Sequence, residues 1–215
     1  DGDHRERHAG PTRRSSDLIE LRDLTFLAPF VVGAHEARDR HGRLAPRDAK
    51  SDDLAFYSDA VDAPHVTGRI EATDRAAPPD ADVNALLARC SARVETVKGP
   101  LGQAFMDFGP RWANVDRVCF GEGEAVVCLT LPEAFAAELA DFPLHPALLD
   151  MATGGAQPLL DGFDRENDFY VPFGYGRFTA FAPLTARLFS HVRRRPSESK
   201  DVGIFDVTIY GAEAA

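Results

Sequence analysis

FPLHPALLDMATGGAQPLL, residues Phe142 to Leu160, is apolar enough to be buried yet carries a carboxylate near its middle. Pro146 suits a first helical turn, where its missing N–H costs no hydrogen bond. Pro158 bounds how far an unkinked helix can run. Between the two prolines Ala147, Leu148, Leu149, Met151, Ala152, Ala156 and Leu159 leave hardly any solvent face, which marks a buried helix. Asp150, Thr153 and Gln157 fall at i, i+3 and i+7, on one stripe. Gly154 and Gly155 beside that stripe remove side-chain bulk and let a neighbour approach. The stretch therefore predicts a buried helix with one small, polar side toward a cavity. Two roles stay open for Asp150: an acceptor for a nearby backbone turn, or a carboxylate kept for chemistry, because a buried unpaired one is expensive.

The rest of the chain supplies sheet around that helix. From Ile19 the pattern turns β, with Leu24, Phe26 and Leu27 leading into Phe30-Val31-Val32 and Pro29 marking an edge or bend. Glu36 to Asp53 is charged and punctuated by proline, hence a loop or exposed hairpin. Leu54 to Tyr57 and His65 to Ala72 each predict a short strand, and His65 reads as structural. Ala76-Ala77-Pro78-Pro79-Asp80-Ala81-Asp82 reads as a linker and a domain boundary. A short helix around Val83 to Cys90 follows, capped by Asp82 or Asp80. Gly109-Pro110 makes a turn with Trp112 and Val115 packed behind it. Val115 to Phe120 and Ala125 to Leu131 predict two strands joined by a Gly-containing turn, and Glu133 to Leu139 a short helix. Three strands close the chain: Tyr170 to Phe181, Arg187 to Arg194 and Gly203 to Tyr210. Arg193-Arg194-Arg195 reads as a solvated strand end, and Gly121-x-Gly123 lacks the following helix of a dinucleotide fingerprint.

Composition narrows the function. The chain has 215 residues, 44% of them hydrophobic, enough for one large or two small domains. A net charge of −10 argues against a nucleic-acid partner, which calls for a basic face. No apolar run approaches the ~20 residues that span a bilayer, and no signal peptide is visible, so the expectation is a cytoplasmic protein with no membrane partner. Cys90, Cys119 and Cys128 are odd in number and lack C-x-x-C spacing, which predicts free buried thiols rather than a disulfide frame or a zinc site.

His145-Pro146-Ala147-Leu148-Leu149-Asp150 resembles the HPALLD signature of the dehydratase domain of modular polyketide synthases. Asp107-Phe108-Gly109-Pro110-Arg111-Trp112 resembles that family's D-Y-G-P-x-F, with Phe for Tyr and Trp for Phe. Tyr170-Val171-Pro172-Phe173 resembles its VPF or LPF strand start, and Leu24-Thr25-Phe26-Leu27-Ala28-Pro29 and His65-Val66-Thr67-Gly68-Arg69-Ile70 resemble two strands of its first half. The resemblance implies an α+β double hot-dog fold, an antiparallel sheet wrapped around a buried helix in each unit. Residues 19–82 would hold a partial first unit and linker, and 83–215 the second unit.

It also implies elimination of water from a β-hydroxyacyl thioester, without metal or cofactor, the substrate arriving on the phosphopantetheine arm of an acyl carrier protein. Asp150 is then the acid. Gly109 and Pro110 line the tunnel near the thioester, and Tyr170, Val171 and Pro172 lie on a strand beside the catalytic pair. The partners implied are the carrier protein, neighbouring synthase domains and a second copy in a homodimer. Where the family commonly has Gln or His four residues after the Asp, to hold it, this chain has Gly154; Gln157 is the candidate substitute. The family's base is a His in H-x-x-x-G-x-x-x-x-P near the start. Here His4 has His8 and Arg13 where the Gly and Pro belong, residues 1–18 show no packing pattern, and Pro11 to Leu18 (PTRRSSDL) reads as a translated sequencing adapter. The expectation is an N-terminally truncated, inactive fragment. Rival readings are a non-catalytic scaffold or acyl-binding module, a product-template or double-bond-shifting relative, and a dimeric single hot-dog thioester hydrolase.

Overall fold

A computed structural model describes residues 18–212 except 60, 98, 100–105, 169 and 200. The expectations for residues 1–17, His4 among them, lie outside it. Ten strands form two antiparallel five-stranded sheets, and the chain divides into two compact units. The first comprises residues up to 77 together with 173–181, and the second 78–172 with 182 onward.

The first unit is built from β1 (Leu18–Phe26), β2 (Arg40–Pro46), β3 (Ser51–Ser58), β4 (Val61–Thr73) and β8 (Gly174–Thr179), in the order β2-β3-β4-β1-β8. Leu18, expected to lie outside the fold, opens β1 opposite Thr73. The charged segment from Glu36 does enter a hairpin, β2 with β3, in which β2 is mostly exposed and β3 mostly half-buried. Phe30, Val31 and Val32 are exposed and lie outside any strand, contrary to expectation, since β1 ends at Phe26 before Pro29. Buried positions in this sheet are polar. Glu20 accepts from the Thr179 hydroxyl at 2.6 Å and from Arg75 at 3.1 Å, and lies 2.7 Å from Arg22. His65 bonds the Ser58 hydroxyl at 2.8 Å and packs edge-on against Phe30, a structural histidine as expected.

The second unit holds the buried apolar side chains of the described residues. Its sheet runs β10-β9-β7-β6-β5, formed by β5 (Arg93–Thr96), β6 (Val115–Phe120), β7 (Glu124–Thr130), β9 (Arg187–Arg195) and β10 (Ile204–Gly211). β7 is buried on both faces, and its alternation divides them. Val126 and Cys128 meet helix α1 (Val83–Arg89) through Val83, Leu86 and Cys90. Val127 and Leu129 meet helix α2 (Pro146–Gly154) through Leu148, Met151 and Ala152. Each such large side chain contributes about 1.5–3 kcal/mol by leaving water. Asp82 caps α1, its carboxylate accepting from the Ala85 N–H at 3.0 Å. The three cysteines are free and buried, as expected; burial pushes the Cys128 thiol up to about 11, so it stays protonated.

Two expectations fail here. Helix α2 stops at Gly154, well short of Pro158, and residues 157–159 form a separate 3-10 turn. The short helix expected at Glu133 is present over Glu133–Ala140 and is of the 3-10 type. The segment 173–181, expected in the second sheet, pairs as β8 with β1 of the first. Gly174 makes that pairing possible: a Cβ there would collide with the Leu24 carbonyl.

Candidate active site

Helix α2 owes its start to His145-Pro146 and its position to the hydrophobic face just described. Its N-terminal turn is tied to the Gly109-Pro110 turn. Pro110–Trp112 forms a single 3-10 turn closed by the Trp112 N–H on the Gly109 carbonyl at 3.0 Å. Beyond it, the buried Asn114 amide donates both to the Arg111 carbonyl and to the Ala147 carbonyl on α2, each at 2.9 Å. This clamp sets the indole of Trp112 over the next turn of the helix. There its Nε1–H donates to Asp150 Oδ2 at 2.7 Å. Among the described residues this is the hydrogen bond that the Asp150 carboxylate accepts, and Oδ1 is left without one.

The outer side of the turn is held by charge. Arg111 makes a bidentate pair with Glu138, at 2.6 to 3.1 Å, and lies 4.5 Å above the Phe135 ring. Glu138 also meets His145 Nε2 at 3.2 Å. The Arg111 hydrogen bonds, opposed by burial and helped by His145, hold the Glu138 carboxyl down at about 2. Asn114 Oδ1 and His145 Nδ1 are buried without a partner among the described residues.

The polar stripe read from the sequence is broken up. Asp150 is half-buried; Thr153 turns its hydroxyl onto the Leu149 and Asp150 carbonyls of its own helix. Gln157 lies past the end of α2, so helical spacing no longer places it, and its amide donates to the Tyr170 carbonyl at 3.4 Å. Tyr170 therefore stands near Gln157, with its ring against Phe163, but residues 170–172 are not in a strand. Val171 and Pro172 are exposed, as are Gly109 and Pro110. The sequence missed Trp112, Arg111, Glu138 and Asn114. A signal existed for Trp112: a half-buried indole needs an acceptor for its N–H, and Asp150 was a carboxylate in search of a donor.

Of the described histidines in this unit, His145 is tied to Glu138, and His191 to Glu124 at 2.6 Å. The Arg193-Arg194-Arg195 run is paired, Arg194 with Asp161 at 2.8 Å and its neighbours with Asp206 at 3.8 to 4.0 Å. In the first unit an open groove of about 420 Å³ lies over β2 to β4, and two of its arginines are paired, Arg47 with Asp53 and Arg69 with Asp23.

Comparison with known proteins converges. Residues 78–214 match the family described as polyketide synthase dehydratase N-terminal domain. Polyketide synthase PksN of Bacillus subtilis (strain 168) is 26% identical over 212 residues, covering 90% of this chain but only 4% of its own length. The crystal structure of a trans-AT polyketide synthase dehydratase domain from Brevibacillus brevis superposes with a TM-score of 0.81 at 18% identity, covering 96% of this chain and 75% of that one. An Asp→Asn variant of the CurK dehydratase, described as an inactive mutant, has a TM-score of 0.73 at 18% identity over 94% of this chain and 79% of that one. These likenesses establish the hot-dog fold, α+β in class.

Proposed function

Because the chain belongs to the polyketide synthase dehydratase family, we propose that it eliminates water from a β-hydroxyacyl thioester, with Asp150 as the acid. The observation that carries this reading is the half-buried Asp150 carboxylate, fixed on one oxygen by Trp112 and open on the other. The oxygen without a hydrogen bond is the one available to a substrate hydroxyl. In the reaction a base removes the α-proton and the C–H electrons become the Cα=Cβ double bond. The Cβ–O bond breaks, and Asp150 gives its proton to the departing hydroxyl, which leaves as water. An Asp→Asn variant of the CurK dehydratase is described as an inactive mutant, the outcome this reading expects of Asp150→Asn here.

The substrate comes on the phosphopantetheine arm of an acyl carrier protein, and the domain works in the cytoplasm beside other synthase domains of a homodimer. The described histidines of the second unit, His145 and His191, each engage a glutamate through Nε2, and the reading assigns the base to a histidine elsewhere. Without that base turnover is lower by about 10² to 10⁴. The same observation favours a second reading, an acyl-binding module without chemistry.

One experiment separates them. The chain is joined to an upstream dehydratase segment carrying H-x-x-x-G-x-x-x-x-P and assayed for water elimination, with and without Asp150→Asn. The dehydratase reading expects turnover that falls a hundredfold or more in the variant, at an unchanged thermal midpoint. No turnover in the joined protein favours the module, and full turnover of Asp150→Asn removes Asp150 from the chemistry.

A further inference from the structure

Gly154 stands where a side chain four residues beyond the acid would steady it, and a Cβ there would meet nothing within 4 Å. Something else must orient Asp150. We infer that Trp112 is the positioning residue of the acid, an inference that rests on the dehydratase reading above. An indole N–H can only donate, so Oδ2, 2.7 Å away, is held as an acceptor. That leaves Oδ1 as the atom that carries and delivers the proton. The indole is itself fixed. It packs beside Phe108 with ring centroids 6.2 Å apart and lies against the α2 side of the sheet core. Its turn is gripped on one flank by Arg111 on Glu138 and on the other by Asn114 on Ala147. Donor and acceptor thus sit on two elements cross-linked to each other, which is what holding a carboxyl in one rotamer requires. The arrangement also stabilises the carboxylate left after the proton has gone, because a hydrogen bond to a charged acceptor is stronger than one to a neutral acceptor.

Trp112 is the single tryptophan of the chain, so its indole reports on Asp150 directly. In the ¹⁵N-labelled chain the one indole N–H resonance should move on Asp150→Asn, and its hydrogen exchange should quicken tenfold or more, as loss of a charge-assisted bond demands. An indole resonance and exchange rate indifferent to Asp150→Asn would overturn the inference. The second arm uses the joined, active protein. Trp112→Phe should lower kcat about tenfold to a hundredfold with KM little changed, and adding Gly154→Gln should recover part of that loss by restoring a donor to the acid. A residue that merely fills space would not be rescued from Gly154. An unaltered kcat in Trp112→Phe, or no rescue, counts against positioning even where Asp150→Asn is dead; full activity of Asp150→Asn instead removes the acid assignment beneath it.

Discussion

The side-chain amide of Asn114 reaches the main-chain carbonyl of Ala147 at 2.9 Å, joining the turn before β6 to the first turn of α2. The same amide also serves the Arg111 carbonyl at 2.9 Å. One buried side chain thereby fixes the distance between the element that carries Trp112 and the element that carries Asp150. The register of the candidate site is set by this link rather than by either residue of the pair.

Asn114→Ala should therefore cost about 1–3 kcal/mol, from the loss of two buried hydrogen bonds and of the link between the two elements. Asn114→Asp should cost more, since a carboxylate beside two carbonyl oxygens offers no donor and buries a charge. Denaturant midpoints of the three proteins check the order. Equal stability of Asn114→Asp and the parent would show that the link carries no weight.

The adjacent glycines should respond in opposite directions. At Gly155 a Cβ would lie 2.7 Å from the Met151 carbonyl and 3.2 Å from Val127 Cγ1, so Gly155→Ala forces α2 off β7 and should cost about 1–3 kcal/mol. At Gly154, helical and open, Gly154→Ala should gain up to about 1 kcal/mol from helix propensity. Thermal melts resolve this, each kcal/mol moving the midpoint by roughly 2–4 °C in a chain of this size.

These glycines also show where the sequence was legible. Pro146 announced the start of α2 and Ala125 to Leu131 announced a strand, because local chemistry determines both; the burial of both faces of β7 came only with the fold. The end of α2 was obscured because Ala156 and Leu159 continue an apolar pattern past Gly155, the residue packed against Val127 where the helix stops. β8 could not be assigned to a sheet, because alternation in Gly174–Thr179 says that a strand exists but not which edge it joins. Asp150 was legible as a carboxylate out of place. An indole N–H in need of an acceptor was a signal too, but not the pairing of the two, since Trp112 precedes Asp150 by 38 residues and reaches it only through the fold.

In the first sheet, Glu20 holds β8 to β1. Its carboxylate is 1% exposed and faces Arg22, Arg75 and Arg177 as well as the Thr179 hydroxyl. Burial pushes the Glu20 carboxyl up, but Thr179 and the three guanidinium groups outweigh it and hold it below the usual range. Glu20→Gln keeps the shape and the Thr179 bond while leaving three cations facing one another. Because the arginines are partly exposed, the cost should be about 1–3 kcal/mol, short of that for a fully buried pair. Backbone amides of β8 should exchange faster in the variant, and protection equal to the parent's would place the tie elsewhere.

Acid should weaken the second sheet through Glu124. Arg89 hydrogen-bonds this carboxylate and His191 Nε2 lies 2.6 Å from it. The Arg89 bond, against the opposing effect of burial and with the help of His191, lowers the Glu124 carboxyl from 4.5 to about 2. A carboxyl depressed on folding stabilises the native state above its unfolded value, because there the unfolded chain gains nothing by binding a proton. As the pH falls below 4.5 the unfolded chain takes up that proton first, and the contribution drains away until the folded group also titrates, near 2. Glu124→Gln should thus be less stable than the parent at neutral pH, and the gap should narrow steadily between pH 4.5 and about 2. Arg89→Gln should reproduce most of the narrowing, since its hydrogen bond is the largest cause of the shift. Urea midpoints at half-unit pH steps make the comparison; a gap that stays constant across this window would mean that Glu124 contributes through packing and not through its charge.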